Sequence, residues 1–244
     1  MTTTPVFLAT RTAIESADRV VLDGPEGRHA AKVRRLAPGE ALDLVDGEGL
    51  RARCVVDSVT TDGLVALVRS RQLEPEPQLR VVVVQALAKG DRGERAVEVL
   101  TEVGVDEIVP WSASRSVTQW RADRGERALE RWRSITRESA KQARRSRFLV
   151  VAALATTHEV ATRLRSAAGA LVLDEDATDS IGLVPLPASG EVVLVVGPEG
   201  GISSDEHDAF RAAGAASVGL GPSVLRTSTA GAVAAAVVLS RTRW

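Results

Sequence analysis

Between residues 19 and 68 the apolar positions come in short runs, broken by turn-forming pairs. Arg19–Leu22, Ala41–Val45, Arg51–Val59 and Leu64–Val68 read as strands. Asp23-Gly24-Pro25, Pro38-Gly39, Asp46-Gly47-Glu48-Gly49 and Asp62-Gly63 punctuate them. Gly27–Leu36 spaces its apolar residues differently, as a short helix with a basic face. Short strands at this spacing predict a small barrel or curled sheet. Residues 73–78, LEPEPQ, then place two prolines among acids, the composition of a stiff linker. The expected division is into domains 1–73 and 78–244.

Beyond the linker the period changes. Arg80–Ala86 is a continuous β-branched run, the signature of a strand covered on both faces. Arg92–Val103 has helical spacing and ends at Gly104, a C-cap residue. Val105–Pro110 predicts the next strand, and residues 122–143 a long charged helix. Ala170–Leu173, Val192–Val196 and Ser217–Leu220 are further strands, and Ala230–Leu239 is a helix of small residues. Alternating strands and helices predict an α/β unit around a mostly parallel sheet.

Composition changes this picture little. At 244 residues, 44% hydrophobic and 26% charged, the chain has the make-up of an ordinary globular protein. The single cysteine, Cys54, excludes a disulfide framework. The start MTTTPVFLAT lacks the basic and long apolar regions of a signal peptide, so a cytoplasmic location is expected. His29, His158 and His207 are too scattered for a metal cluster, and no metal is expected. The net charge of −1 is neutral about partners, but Arg115–Arg147 holds eleven basic and four acidic residues. That local excess favours a phosphate-facing surface over a merely solvated one.

The candidate chemistry lies where two strands run into glycine-bearing loops. Val192–Val196 leads into Gly197-Pro198-Glu199-Gly200-Gly201, and Ser203 with Glu206 has capping-box spacing for the helix that follows. Ser217–Leu220 leads through Gly219 and Gly221 to a helix capped near Thr227 or Ser228. Two such loops at the C-terminal ends of neighbouring strands make a crevice in which ligands bind. No GxGxxG or P-loop is present, which argues against dinucleotides and nucleoside triphosphates. Arg226 is the only charged residue in the second loop, a pattern that favours a functional role.

These loops, GPEGG and LGP-x-VLRT-x-TA, resemble the 16S rRNA (uracil-1498-N3)-methyltransferase family, RsmE, of the SPOUT class. The resemblance extends to Ala88-Lys89-Gly90-Asp91 with Glu102-Val103-Gly104-Val105, and to Arg131-Trp132 with Glu138–Arg144. It also takes in His29…Val33-Arg34-Arg35-Leu36…Pro38-Gly39 with Asp46-Gly47, so that most of residues 25–240 is covered. Thr4-Pro5-Val6-Phe7 lacks the arginine that often precedes the aromatic in this family, and Ser228 stands where many members have Glu.

The resemblance implies an N-terminal PUA-like β-barrel and a C-terminal SPOUT domain with a trefoil knot. It implies S-adenosylmethionine as cofactor, small-subunit rRNA as substrate and a homodimer as the working form. Arg226 would be the catalytic residue. Leu173, Val196, Gly197, Glu199, Gly200, Gly201, Leu220, Gly221, Val224, Leu225, Thr227 and Thr229 would bind the cofactor. Arg28, His29, Lys32, Arg34, Arg35, Arg115, Arg144 and Arg145 would bind RNA. A SPOUT ribose 2′-O-methyltransferase, an inactive RNA-binding assembly factor and a module for another adenosine ligand remain alternative readings at this stage.

Overall fold

The computed structural model describes residues 4–244; residues 1–3, which the sequence reading counts in the first domain, lie outside the described residues. The chain divides into two units. One comprises the chain up to Glu76 together with Glu138–Phe148, and the other Pro77–Arg137 with Leu149–Trp244.

In the first unit the strands are β1 (Val6–Leu8), β2 (Arg19–Leu22), β3 (Ala41–Val45), β4 (Leu50–Thr60) and β5 (Gly63–Leu73). They form one sheet in the order β1-β3-β4-β5-β2, antiparallel except for the β1–β3 pair. Alternate residues of β4 (Leu50, Ala52, Cys54, Val56) turn inward, the period-two pattern that buries one face of a strand. They meet Phe7, Ile14, Leu42, Leu44 and Leu64 in the core. Helix α1 (Arg11–Ser16) starts at Thr10, whose side chain accepts from the Ala13 backbone N–H. The helix expected at Gly27–Leu36 is split: α2 (Gly24–Arg28) runs into a π-helical turn at His29–Val33. β5 outruns the strand read from sequence, because its polar continuation through Arg69, Ser70, Arg71 and Gln72 to Leu73 pairs with Leu50–Arg53 of β4, whereas β4 gains only Thr60 and the buried Leu50 at its ends.

The second unit is built on β6 (Leu79–Ala86), β7 (Glu107–Trp111), β8 (Val150–Val151), β9 (Gly169–Leu173), β10 (Gly190–Val196) and β11 (Ala216–Val218). They form an all-parallel sheet in the order β11-β9-β10-β6-β7-β8. The helices are α3 (Arg92–Val103), α4 (Ala122–Gln142), α5 (Thr157–Ser166), α6 (Ser204–Ala212) and α7 (Thr227–Thr242). α4 crosses the division between the units at Glu138. The interior β6 and β10 carry Val81–Val84 and Val192–Val196 with almost no exposure, as strands covered on both faces must.

Several boundaries match the periodicity closely. Gly104 ends α3 at φ 108°, a left-handed C-cap. α6 opens with the Ser203–Glu206 capping box. α5 opens with a second such box, Thr156 and Glu159, whose T-x-x-E spacing the sequence reading passed over. The last helix begins three residues earlier than its apolar run, at Thr227. It lies on β6 and β10, where a Cβ at Gly231 would stand 3.1 Å from Val196 and 3.3 Å from Val83. No helix among the described residues is long and apolar enough to cross a membrane.

Candidate functional site

The C-terminal ends of β9, β10 and β11 open into a pocket of about 670 Å³. It lies where open α/β sheets bind ligands, outside the carboxyl ends of the strands. Leu173, Val196, Val218, Leu220, Leu225 and Ala230 supply an apolar wall. Asp174, Glu175 and Asp176 form an acidic side, while Arg92, Arg115 and Arg226 contribute cations. Such a lining suits an amphoteric ligand with an apolar body.

Two loops frame this pocket, and one residue latches them together. The Thr227 hydroxyl donates to the Gly197 carbonyl oxygen at 3.0 Å. The buried Gln85 of β6 donates its amide to the Thr227 carbonyl at 3.4 Å, fixing the start of α7 from below. The carbonyl of Arg226 accepts from the Thr229 and Ala230 backbone N–H groups and from the Thr229 hydroxyl. Arg226 holds the N-cap position with extended backbone, φ −68° and ψ 148°. Its guanidinium has no hydrogen-bond or ion-pair partner among the described residues.

The first loop is braced from outside. Glu199 accepts from the Lys89 backbone N–H at 3.1 Å and from Arg92 at 2.8 Å. Burial pushes its carboxyl up, but hydrogen bonds from its own backbone, from Arg92 and from Lys89 outweigh that and hold it below the usual carboxylate range. Gly201 has φ +73°, and a Cβ on Gly200 would stand 3.2 Å from the Arg115 Cβ. Neither position accepts a side chain without movement.

Of the twelve residues read from sequence as cofactor ligands, eleven line this pocket. Thr229 does not; its hydroxyl is held by the Arg226 carbonyl. Arg92, Asp174, Glu175, Asp176 and His207 line it too, and none of them carries a motif that marks it in the sequence as a cofactor ligand. Asp174 was within reach, because it directly follows β9 and the same strand-end rule applies there. His207 Nε2 lies 3.9 Å from an Asp174 carboxylate oxygen.

The residues read as RNA ligands separate. Arg115 belongs to the pocket of the second unit, where its Nη1 donates to the Gly200 carbonyl at 3.2 Å. In the first unit His29, Arg34 and Arg144 line a recess of about 70 Å³ with Phe7 and Lys141. His29 meets Phe7 edge-on at 5.7 Å. Lys141 is neutralised by Glu26 at 2.7 Å and Glu138 at 3.0 Å. Arg28, Lys32 and Arg35 are exposed nearby in sequence, and Arg145 donates to the Arg147 carbonyl at 2.9 Å. Arg35 and Arg144 both have left-handed backbone, φ 55° and 54°, which costs a non-glycine residue about 1–2 kcal/mol.

A family model for an RNA methyltransferase domain matches residues 74–239, and one for an RNA methyltransferase PUA domain matches residues 22–68. The chain is 48% identical to the ribosomal RNA small subunit methyltransferase E of Mycobacterium bovis, over 92% of this chain and 87% of that protein. It is 28% identical to the Bacillus subtilis protein of the same name, over 91% and 90% of the two chains. In fold it is similar to the crystal structure of a ribosomal RNA small subunit methyltransferase E from Neisseria gonorrhoeae bound to S-adenosyl methionine. That likeness has a TM-score of 0.86 and 24% identity, and covers 98% of both chains. With a PUA-like unit before an α/β unit, a pocket at the strand ends and these relatives, the chain belongs to the ribosomal RNA small subunit methyltransferase E family.

Proposed function

We propose that this protein transfers a methyl group from S-adenosylmethionine to N3 of a uracil in small-subunit rRNA, the base numbered 1498 in 16S rRNA. The observation that carries the reading is Arg226, an unpartnered guanidinium on the wall of a pocket shaped for an amphoteric ligand. The family relationship supports the substrate class, since relatives at 48% and 28% identity bear the name ribosomal RNA small subunit methyltransferase E.

The pocket suits S-adenosylmethionine on its own chemistry. Its volume lies in the range of small-molecule sites. The wall of Leu173, Val196, Leu220 and Leu225 suits an adenine face, and the backbone of residues 197–201 and of Leu220 and Gly221, which lines the pocket, faces the polar edges. Asp174 and Asp176 suit the cationic sulfonium and ammonium groups. The cofactor supplies an activated methyl group, so the protein's task is positioning and charge management.

Uracil N3 carries a proton and is a poor nucleophile while it does. Arg226 lowers the cost of losing it by placing a fixed positive charge beside the anion that develops. The Thr227 hydroxyl is committed to Gly197, so its role is to hold the two loops in register rather than to take the proton. The N3 proton leaves to solvent. Methylation of a ribose hydroxyl would demand a base strong enough for an alcohol, which makes the N3 reading the better fit.

The first unit and Arg115 would grip the RNA, the enzyme would act in the cytoplasm where small subunits assemble, and the working form would be a homodimer carrying the family's knotted second domain. Incubating the purified chain with methyl-labelled S-adenosylmethionine and unmodified small subunits tests the reading. Label in one uridine whose N3 is blocked is the expected result; label on a ribose hydroxyl, or none, would overturn it.

A further inference from the structure

Glu206 carries more hydrogen bonds than helix capping requires. It is 4% exposed. One carboxylate oxygen accepts from the Ser203 backbone N–H at 3.0 Å and the Ser203 hydroxyl at 2.9 Å, which completes the cap of α6. The other accepts from the Ser114 backbone N–H at 2.7 Å and the Thr157 hydroxyl at 3.1 Å. The Ser114 hydroxyl lies 3.0 Å from the first oxygen. Two of the partners are backbone N–H groups, which can only donate, so an acceptor-only side chain is needed at both oxygens. Burial pushes this carboxyl up, and the bonds from Ser114 and Ser203 bring it below the usual carboxylate range.

The consequence appears one residue beyond Ser114. The backbone of Arg115 lies against Gly200, close enough that a Cβ there would stand 3.3 Å from the Arg115 carbonyl oxygen. Its Nη1 uses one donor on the Gly200 carbonyl. A guanidinium has five donors, so most of its fork is left over, and Arg115 has no carboxylate partner among the described residues. It lines the same pocket as Arg226. We propose that Glu206 is a positioning residue that delivers Arg115 to the pocket as the cation gripping an RNA phosphate next to the target base. This rests on the methyltransferase reading above. The division of labour is then by chemistry: Arg226 answers charge that develops on the base, and Arg115 answers charge already present on the backbone.

The test measures methyl transfer to unmodified small subunits, and binding of the same subunits as a function of salt. Arg115→Ala should raise KM for subunits about tenfold, with a much smaller effect on kcat, and flatten the salt slope by about one. Glu206→Gln keeps the size but sets an amide N–H against a backbone N–H. It should move KM and the salt slope in the same direction, and add little when Arg115 is already Ala. Ser114→Ala, which leaves the α6 cap intact, is the variant to read if Glu206→Gln folds poorly; it should shift KM in the same direction by a smaller factor. A Glu206→Gln effect of equal size with and without Arg115, or an unchanged salt slope in both single variants, would overturn the proposal and leave Glu206 as a helix cap. Absence of transfer by the wild-type chain would instead overturn the activity reading, and this proposal with it.

Discussion

Arg226 shows how backbone position confers chemistry on one side chain. At the N-cap of α7 its carbonyl is bound by Thr229 and Ala230, while its guanidinium is left unpaired among the described residues. If that charge stabilises the N3 anion, Arg226→Ala should lower turnover about 10²- to 10³-fold while S-adenosylmethionine binding changes little. Raising the pH should partly rescue the variant, because more of the uracil is then already deprotonated; single-turnover rates from neutral to alkaline pH read this out. Cys54 illustrates the opposite case. Burial, with the Asp43 charge adding to it, pushes its thiol up to about 11. The native protein should therefore resist iodoacetamide at pH 8 and react readily once unfolded, and fast labelling of the native chain would contradict this burial. Residue identity was legible where a motif concentrated it: Arg226 is the lone charge of its loop. The Ser203 partner of Glu206 was legible as a capping box, but the other partners of Glu199 and Glu206 were not, because Lys89, Arg92 and Ser114 come from distant segments.

At the scale of elements, the β-branched runs and glycine punctuation predicted most strands and helices of the second unit, since strands buried on both faces have unmistakable composition. Short edge strands such as β8, only two residues long, leave no periodic trace. The π-helical turn after α2 escaped for a different reason: its one-residue offset does not alter the apolar spacing that suggested a helix. Gly200 and Gly201 permit a tight loop against Arg115, so replacing both with Val should weaken S-adenosylmethionine binding well below a micromolar wild-type affinity, roughly −8 kcal/mol. Calorimetry gives the comparison, and unchanged affinity would move the ligand elsewhere. At the other end of the sheet Glu107 meets Arg163 at 2.5 Å and Arg80 at 2.9 Å. Burial raises its carboxyl and these arginines lower it further, leaving it below its ordinary 4.5. Glu206 is lowered too. Both groups thus contribute stability that is complete above pH 4.5 and lost as pH falls through their depressed folded values. Unfolding midpoints should fall steeply below pH 4.5 in the wild type and less steeply in Glu107→Gln.

For the whole molecule, the change of period at residues 73–78 coincides with the connection from β5 to β6. The return of Glu138–Phe148 to the first unit had no sequence signal, because α4 runs through Glu138 with unbroken helical spacing. That segment brings Arg144 beside His29 and Arg34, so basic residues more than a hundred positions apart line one recess. Replacing Arg144 and Arg145 with Ala should weaken binding to small subunits and reduce its salt dependence, with cofactor affinity unaltered. The most direct test of the account is mass mapping of small-subunit rRNA from a strain lacking this gene, before and after its return. One N3-methyluridine should disappear with the gene, return with the wild-type chain and stay largely absent with Arg226→Ala. An rRNA methylation pattern identical with and without the gene would contradict it.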